Sequence, residues 1–180
     1  MANSWSSIWC LFQWSQSKPS KPKYFHHLLQ ILSAGGDGNL KLWDLINNFP
    51  VRTFKEHSNE VFSCEWNHIN KRKFLSAAYD RTIKLWDINM VSGSEATYMH
   101  EFGVYAAIWH PTHESIFGSC SGDQTIRVWD TRSGKDVKRI HAHSNEVLSI
   151  DFNKYENFIA SSCTDGSIRL WVTLIFLINY

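Results

Sequence analysis

Trp43, Trp86, Trp129 and Trp171 stand 43, 43 and 42 residues apart. Each closes a segment of one kind: GGDGNLKLWD (35–44), AYDRTIKLWD (78–87), SGDQTIRVWD (121–130) and CTDGSIRLWV (163–172). Asp37, Asp80, Asp123 and Asp165 keep the same intervals, and His57, His100 and His143 recur at 43 and 43. Ser33, Ser76, Ser119 and Ser161 each lie four residues before their Asp. A fixed period of this length marks a chain that folds as stacked copies of one small unit, each burying its apolar face against the next.

Within the unit the pattern is that of strands. VFSCEW (61–66) and VLSIDF (147–152) alternate toward a large aromatic, the period-2 signature of a half-buried strand. FLSAA (74–78), IFGSC (116–120) and FIASS (158–162) form a second run, and TIKLWD (82–87) with its equivalents a third, rich in β-branched and aromatic residues. A weaker fourth follows at VRTF (51–54), ATYM (96–99) and VKRI (137–140). Four short strands between Gly/Asn/Asp/Ser turns, every 40–45 residues or so, describe a β-propeller blade. The expected fold is all-β, an open arc of about four blades: a partial one over 29–55, then 56–99, 100–142 and 143–172. Two segments lack the pattern. Residues 1–28 are read as a divergent N-terminal segment with the basic, Pro-rich linker SKPSKPK (17–23), and 173–180 as a divergent apolar tail.

Ser, His and Asp together raise the question of hydrolytic chemistry. A catalytic triad is built once, beside an oxyanion hole. Here the set occurs three times with a Trp: Ser76/His57/Asp80/Trp86, Ser119/His100/Asp123/Trp129 and Ser161/His143/Asp165/Trp171. Each is expected to be a hydrogen-bond network: Asp accepts from His and backbone N–H groups, His reaches Ser, and Ser takes the indole N–H. Such pairing avoids about 1–3 kcal/mol for each buried polar group left alone. No catalytic residue is assigned. The four cysteines are scattered without a CxxC pair, so neither a metal site nor a cofactor is read from spacing. A formal charge of +1 supplies no field for nucleic acid. LWVTLIFLINY (170–180) falls short of the roughly 20 residues of a membrane span, and MANSWSSIWC has no basic region ahead of its apolar residues, so no signal peptide or membrane insertion is expected.

These units closely resemble the WD-repeat family, with His near the start, Asp in the turn and Trp-Asp at the end. The family's usual Gly-His is Glu56-His57, Met99-His100 and Ala142-His143 here, and the last unit ends Trp171-Val172. A narrower resemblance rests on VRTFKEHSNEVFSCEWN (51–67), YAAIWHP (105–111), SCSGDQTIRVWD (119–130) and HAHSNEVLSIDFNKYENFIA (141–160). These stretches look like the peroxisomal import receptors that read the type 2 targeting signal. The resemblance implies a non-enzymatic receptor of the cytosol and peroxisome. Its partners would be cargo proteins with an N-terminal type 2 signal, an import co-receptor and peroxisomal docking proteins. It also implies a ring of about seven blades, of which this chain would be a truncated form. A general WD-repeat scaffold or adaptor with another partner is the alternative.

Shared residues build the platform, so partner choice is expected where units differ, just after the repeat His and just before the repeat Asp. The candidates for touching a cargo peptide are Glu60, Phe62 and Tyr79, then Tyr105 and Gly122, then Glu146, Leu148 and Thr164. The implied signal is a short amphipathic helix with a basic residue and leucines, laid into a groove. Glu60 and Glu146 would meet the basic residue, and Phe62, Tyr79 and Tyr105 the leucines.

Overall fold

The structure is a computed structural model, and it describes residues 9–12, 30–44 and 49–172. It contains four antiparallel sheets arranged as successive blades. The first is β1 (Trp9–Phe12), β2 (Gln30–Ala34), β3 (Asn39–Asp44) and β4 (Phe49–Lys55). The second is β5 (Val61–Trp66), β6 (Lys73–Ala78), β7 (Thr82–Asp87) and β8 (Ala96–Met99). The third is β9 (Val104–Trp109), β10 (Ile116–Ser121), β11 (Thr125–Asp130) and β12 (Lys135–His141). The fourth has three strands, β13 (Val147–Phe152), β14 (Phe158–Cys163) and β15 (Ile168–Val172). Every expected run of apolar alternation is a strand. No helix occurs among the described residues, and none could therefore cross a membrane as a helix.

β1 lies inside the stretch 1–28, which the sequence sets apart as divergent, and pairs with β2 from Trp9↔Ala34 to Phe12↔Ile31. The linker SKPSKPK and the tail 173–180 lie outside the described residues.

Because both faces of an inner sheet are covered, its strands are apolar on both sides. β10 and β11 are buried throughout, even at Arg127. The core is three clusters, one between each pair of neighbouring sheets. The repeated Trp explains much of this packing. Phe54 of the first sheet meets Phe74 and Trp86 of the second edge-on, with ring centroids 5.1 and 5.2 Å apart. One unit later Tyr98 meets Phe117 and Trp129 at 4.9 and 5.3 Å. Trp86 and Trp129 thus wedge against the last strand of the preceding sheet, and edge-to-face pairs of this kind add about 0.5–1.5 kcal/mol to the burial itself. Backbone and side chains also tie first strands together: Glu65 accepts the Trp109 N–H at 2.6 Å, and Ser63 Oγ accepts that of Ala107 at 3.2 Å.

The fourth sheet breaks the pattern on its far side. Leu75, Ala77, Ile83 and Leu85 of the second sheet are sealed by the third, whereas Ile168 and Leu170 are 76% and 72% exposed.

Candidate functional site

The Ser-His-Asp sets of the second and third sheets are closed networks. His57 Nδ1 lies 2.8 Å from Asp80 Oδ2 and its Nε2 2.7 Å from Ser76 Oγ, which also accepts the Trp86 indole N–H at 2.9 Å. In the third sheet His100 sits 2.8 Å from Asp123 and 2.7 Å from Ser119, which accepts the Trp129 indole at 2.8 Å. Burial lowers the affinity of both imidazoles for a second proton, against the pull of the carboxylates. A neutral ring therefore carries its hydrogen on Nδ1, toward Asp, and accepts the serine proton at Nε2. For Asp123, burial acts to raise the carboxyl, but bonds from His100 and Thr125 outweigh it and hold the group far below the usual carboxylate range. Ser76 and Ser119 are 0% exposed. Their hydroxyls are committed on both sides, to the histidine and to the indole.

Three contributors were not read from the sequence. Thr82 and Thr125 each donate a hydroxyl to the repeat Asp at 2.6 Å. This holds one carboxylate oxygen in place and turns the other toward the His and the N–H of Ser58 or Glu101. Buried Arg127 adds a 3.0 Å contact to Asp123.

The fourth set departs from the expected pattern at Asp165. His143 Nε2 reaches Ser161 Oγ at 2.8 Å and Trp171 donates to the same oxygen at 2.9 Å, as expected. Its Nδ1, however, faces Ser167 Oγ at 3.1 Å. Asp165 is exposed and accepts the Ser167 N–H at 2.8 Å instead. The serine, standing where Thr82 and Thr125 stand, puts its hydroxyl between ring and carboxylate. Among the described residues of the first sheet, the Ser33–Trp43 bond recurs at 2.8 Å and Asp37 accepts the Asn39 N–H at 3.1 Å.

The differing residues gather at the end of the sheets that carries the Asp turns. Here the register supplies a reason. The pairing of β5 with β6 skips Phe62, that of β9 with β10 skips Tyr105, and that of β13 with β14 skips Leu148. Each is the extra residue of a β-bulge, a device that bends the strand and re-aims a side chain. Phe62 stacks obliquely on Tyr105 with centroids 5.2 Å apart and meets Tyr79 edge-on at 6.1 Å. Tyr79 in turn meets Phe102 at 6.0 Å. The Tyr105 hydroxyl donates to Glu146 at 2.9 Å, and burial together with that bond pushes its pKa up to about 12. The result is a continuous aromatic row over the second and third sheets, ending on a carboxylate of the fourth. Beside it runs a shallow cleft lined by Ser58, Asn59, Tyr79, Arg81, Met99 and Phe102.

Of the eight candidates, the structure brings Phe62, Tyr79, Tyr105 and Glu146 together. Gly122 underlies the row: a Cβ there would lie 2.4 Å from the Phe102 ring. Glu60 is exposed and touches Tyr79 through the backbone, its carbonyl accepting the Tyr79 N–H at 2.9 Å. Thr164 and Leu148 are exposed on the fourth sheet, and the Thr164 N–H donates to the Glu146 carbonyl at 3.1 Å. Phe102 and Gly103 were missed. Phe102 follows His100 by two positions, where the neighbouring units have Asn59 and Asn145, so the rule of seeking differences could have found it.

WD-repeat proteins are the class to which this architecture belongs. The WD domain, G-beta repeat family matches residues 3–44, 48–87, 92–130 and 134–172, and the chain belongs to that family. Its first match, like β1, starts within the stretch that lacks the Asp and Trp signature. Two curated relatives narrow the comparison. The peroxisomal targeting signal 2 receptor of Saccharomyces cerevisiae is 43% identical over 76 residues, 41% of this chain and 18% of the relative. The receptor of the same name from Dictyostelium discoideum is 38% identical over 48 residues, 25% of this chain and 15% of the relative. The aligned part spans less than a fifth of either relative's length.

Proposed function

We propose that the chain is part of a peroxisomal import receptor that captures cargo bearing a type 2 targeting signal, moving between cytosol and peroxisome with a co-receptor and docking proteins. Kinship with two receptors of that name carries the reading, and the aromatic row supports it. Four rings that are only partly buried or exposed, two of them aimed by bulges and the row closed by Glu146, suit the apolar face of an amphipathic helix. Glu60 and Glu146 flank the row with negative charge for a basic residue of the signal.

The test is binding of a fluorescent type 2 signal peptide, followed by anisotropy, with a scrambled peptide as control. Paired reversal, Glu60→Lys with Glu146→Lys, is expected to weaken capture about tenfold, or ~1.4 kcal/mol, with the unfolding midpoint unchanged. Equal binding of signal and scrambled peptides would favour a WD-repeat adaptor with another partner. Capture of the signal that survives the double reversal would move the docking face elsewhere.

A further inference from the structure

We propose that the fourth sheet holds a divalent metal site of the zinc class, made by His143, Cys163 and Asp165. One nitrogen, one sulfur and one carboxylate oxygen from these residues lie within 4.8 Å of one another. That is the donor set Zn²⁺ prefers: imidazole, thiolate and carboxylate, with bonds of about 2.0–2.3 Å and a tetrahedral arrangement. His143 and Cys163 are 6% and 5% exposed and form a fixed wall, while Asp165 stands on the exposed turn and can close the remaining distance by a change of rotamer.

Comparison of the units supports the assignment independently. Cys163 occupies the place of Ala78 in the second sheet and Ser121 in the third, two residues before the repeat Asp. No other unit has a thiol there. His57 and His100 cannot offer Nδ1 to a metal, because a carboxylate at 2.8 Å keeps a hydrogen on it. His143 is released from that constraint, since its Nδ1 meets only the Ser167 hydroxyl. Its Nε2–H can instead donate to Ser161 Oγ at 2.8 Å, fixing the ring for coordination through Nδ1 in the way supporting hydrogen bonds commonly orient metal-bound histidines. The Cys163 Sγ and an Asp165 carboxylate oxygen lie within 4.8 Å of each other, so metal binding would expel the thiol proton to solvent and draw both atoms onto the ion. The open side of Asp165 leaves a fourth position for water or for a side chain of a partner.

Titration of the full chain with Zn²⁺, and with Co²⁺ as the spectroscopic probe, tests the site. Wild type is expected to bind one Co²⁺ tightly, with the near-ultraviolet charge-transfer band of a thiolate–cobalt bond and the intense visible bands of tetrahedral cobalt. Cys163→Ala restores the residue type of the second sheet at this place. It should lose the charge-transfer band and bind at least about 100-fold more weakly, since even supporting residues of metal sites carry 10–100-fold. Asp165→Asn should weaken binding while keeping the band. Identical titrations of wild type and Cys163→Ala would overturn the proposal. If that variant does not fold, alkylation of the wild type decides: Zn²⁺ should shield Cys163 and leave the reaction of the other cysteines unchanged, and absence of selective shielding overturns the site.

Discussion

Asp123 of the third sheet and Asp165 of the fourth hold the same place in their units. Asp123 is enclosed by His100, Thr125, Arg127 and the N–H of Glu101. Asp165 is open to solvent, and its histidine bonds a serine. The two sheets share the Ser–His and Ser–Trp bonds almost to the tenth of an ångström, so the comparison isolates what the carboxylate adds. In the third sheet it joins the first strand, the turn and the third strand through one buried charge. In the fourth the same letters fold to the same strands without that joint, and the histidine Nδ1 faces a serine hydroxyl instead.

The largest way to break this contrast is to remove the carboxylates in turn. Asp123→Ala leaves Arg127 and His100 buried without their partner, and should cost about 3–5 kcal/mol by denaturant unfolding. Asp165→Ala should leave the unfolding midpoint nearly in place in metal-free buffer. Similar losses in the two variants would refute the distinction.

A smaller effect sharpens the difference between platform and docking face. Gly122→Ala drives a methyl group into the Phe102 ring at 2.4 Å, at a cost of about 1 kcal/mol, the low end for overpacking because the ring can swing toward solvent. Peptide capture should fall severalfold while the His100 network stays intact. Unaltered anisotropy titrations would remove Phe102 from the docking face.

The smallest effect concerns the opposite end of the sheets. Burial pushes the Glu65 carboxyl up to about 7, partly offset by the Trp109 N–H and reinforced by Asp151. Between its ordinary value of 4.5 and about 7, the folded chain holds a proton that the unfolded chain has lost. Its contribution therefore favours folding fully below 4.5 and is lost as pH rises through 7. His110, lowered by burial and by His113 to about 4, acts in the other direction between that value and 6.5. The Glu65 contribution is thus best read as a difference: relative to wild type, Glu65→Gln should gain in melting temperature from pH 5 to pH 7.5. A constant gap between the two proteins would show that Glu65 keeps an ordinary pKa.

Most of the platform was legible in the residues, because a period of 43 repeats the same strand grammar and errors in one unit are corrected by the next. The networks of Asp80 and Asp123 follow from the repeat spacing alone. That of Asp165 does not, since one hydroxyl decides which side of the ring the carboxylate takes, and Ser167 differs from Thr125 by a methyl group only. β1 was hidden for the opposite reason: WCLF lies outside the Asp and Trp spacing and becomes a strand by pairing with β2. The docking residues were half legible. Choosing positions where units differ found Phe62, Tyr79 and Tyr105, but their meeting depends on bulges in the register, which spacing alone does not show.

Three separate clusters, each shared by two adjacent sheets, also determine how this molecule comes apart. No residue of the first cluster reaches the third, so stability resides in the seams and not in the sheets. Among the described residues the second and third sheets share two seams each and the first and fourth one each, so the inner units are held by more neighbour contacts. Anything that seats itself on Ile168 and Leu170 would add a seam, and would lend its stability first to the weakest member.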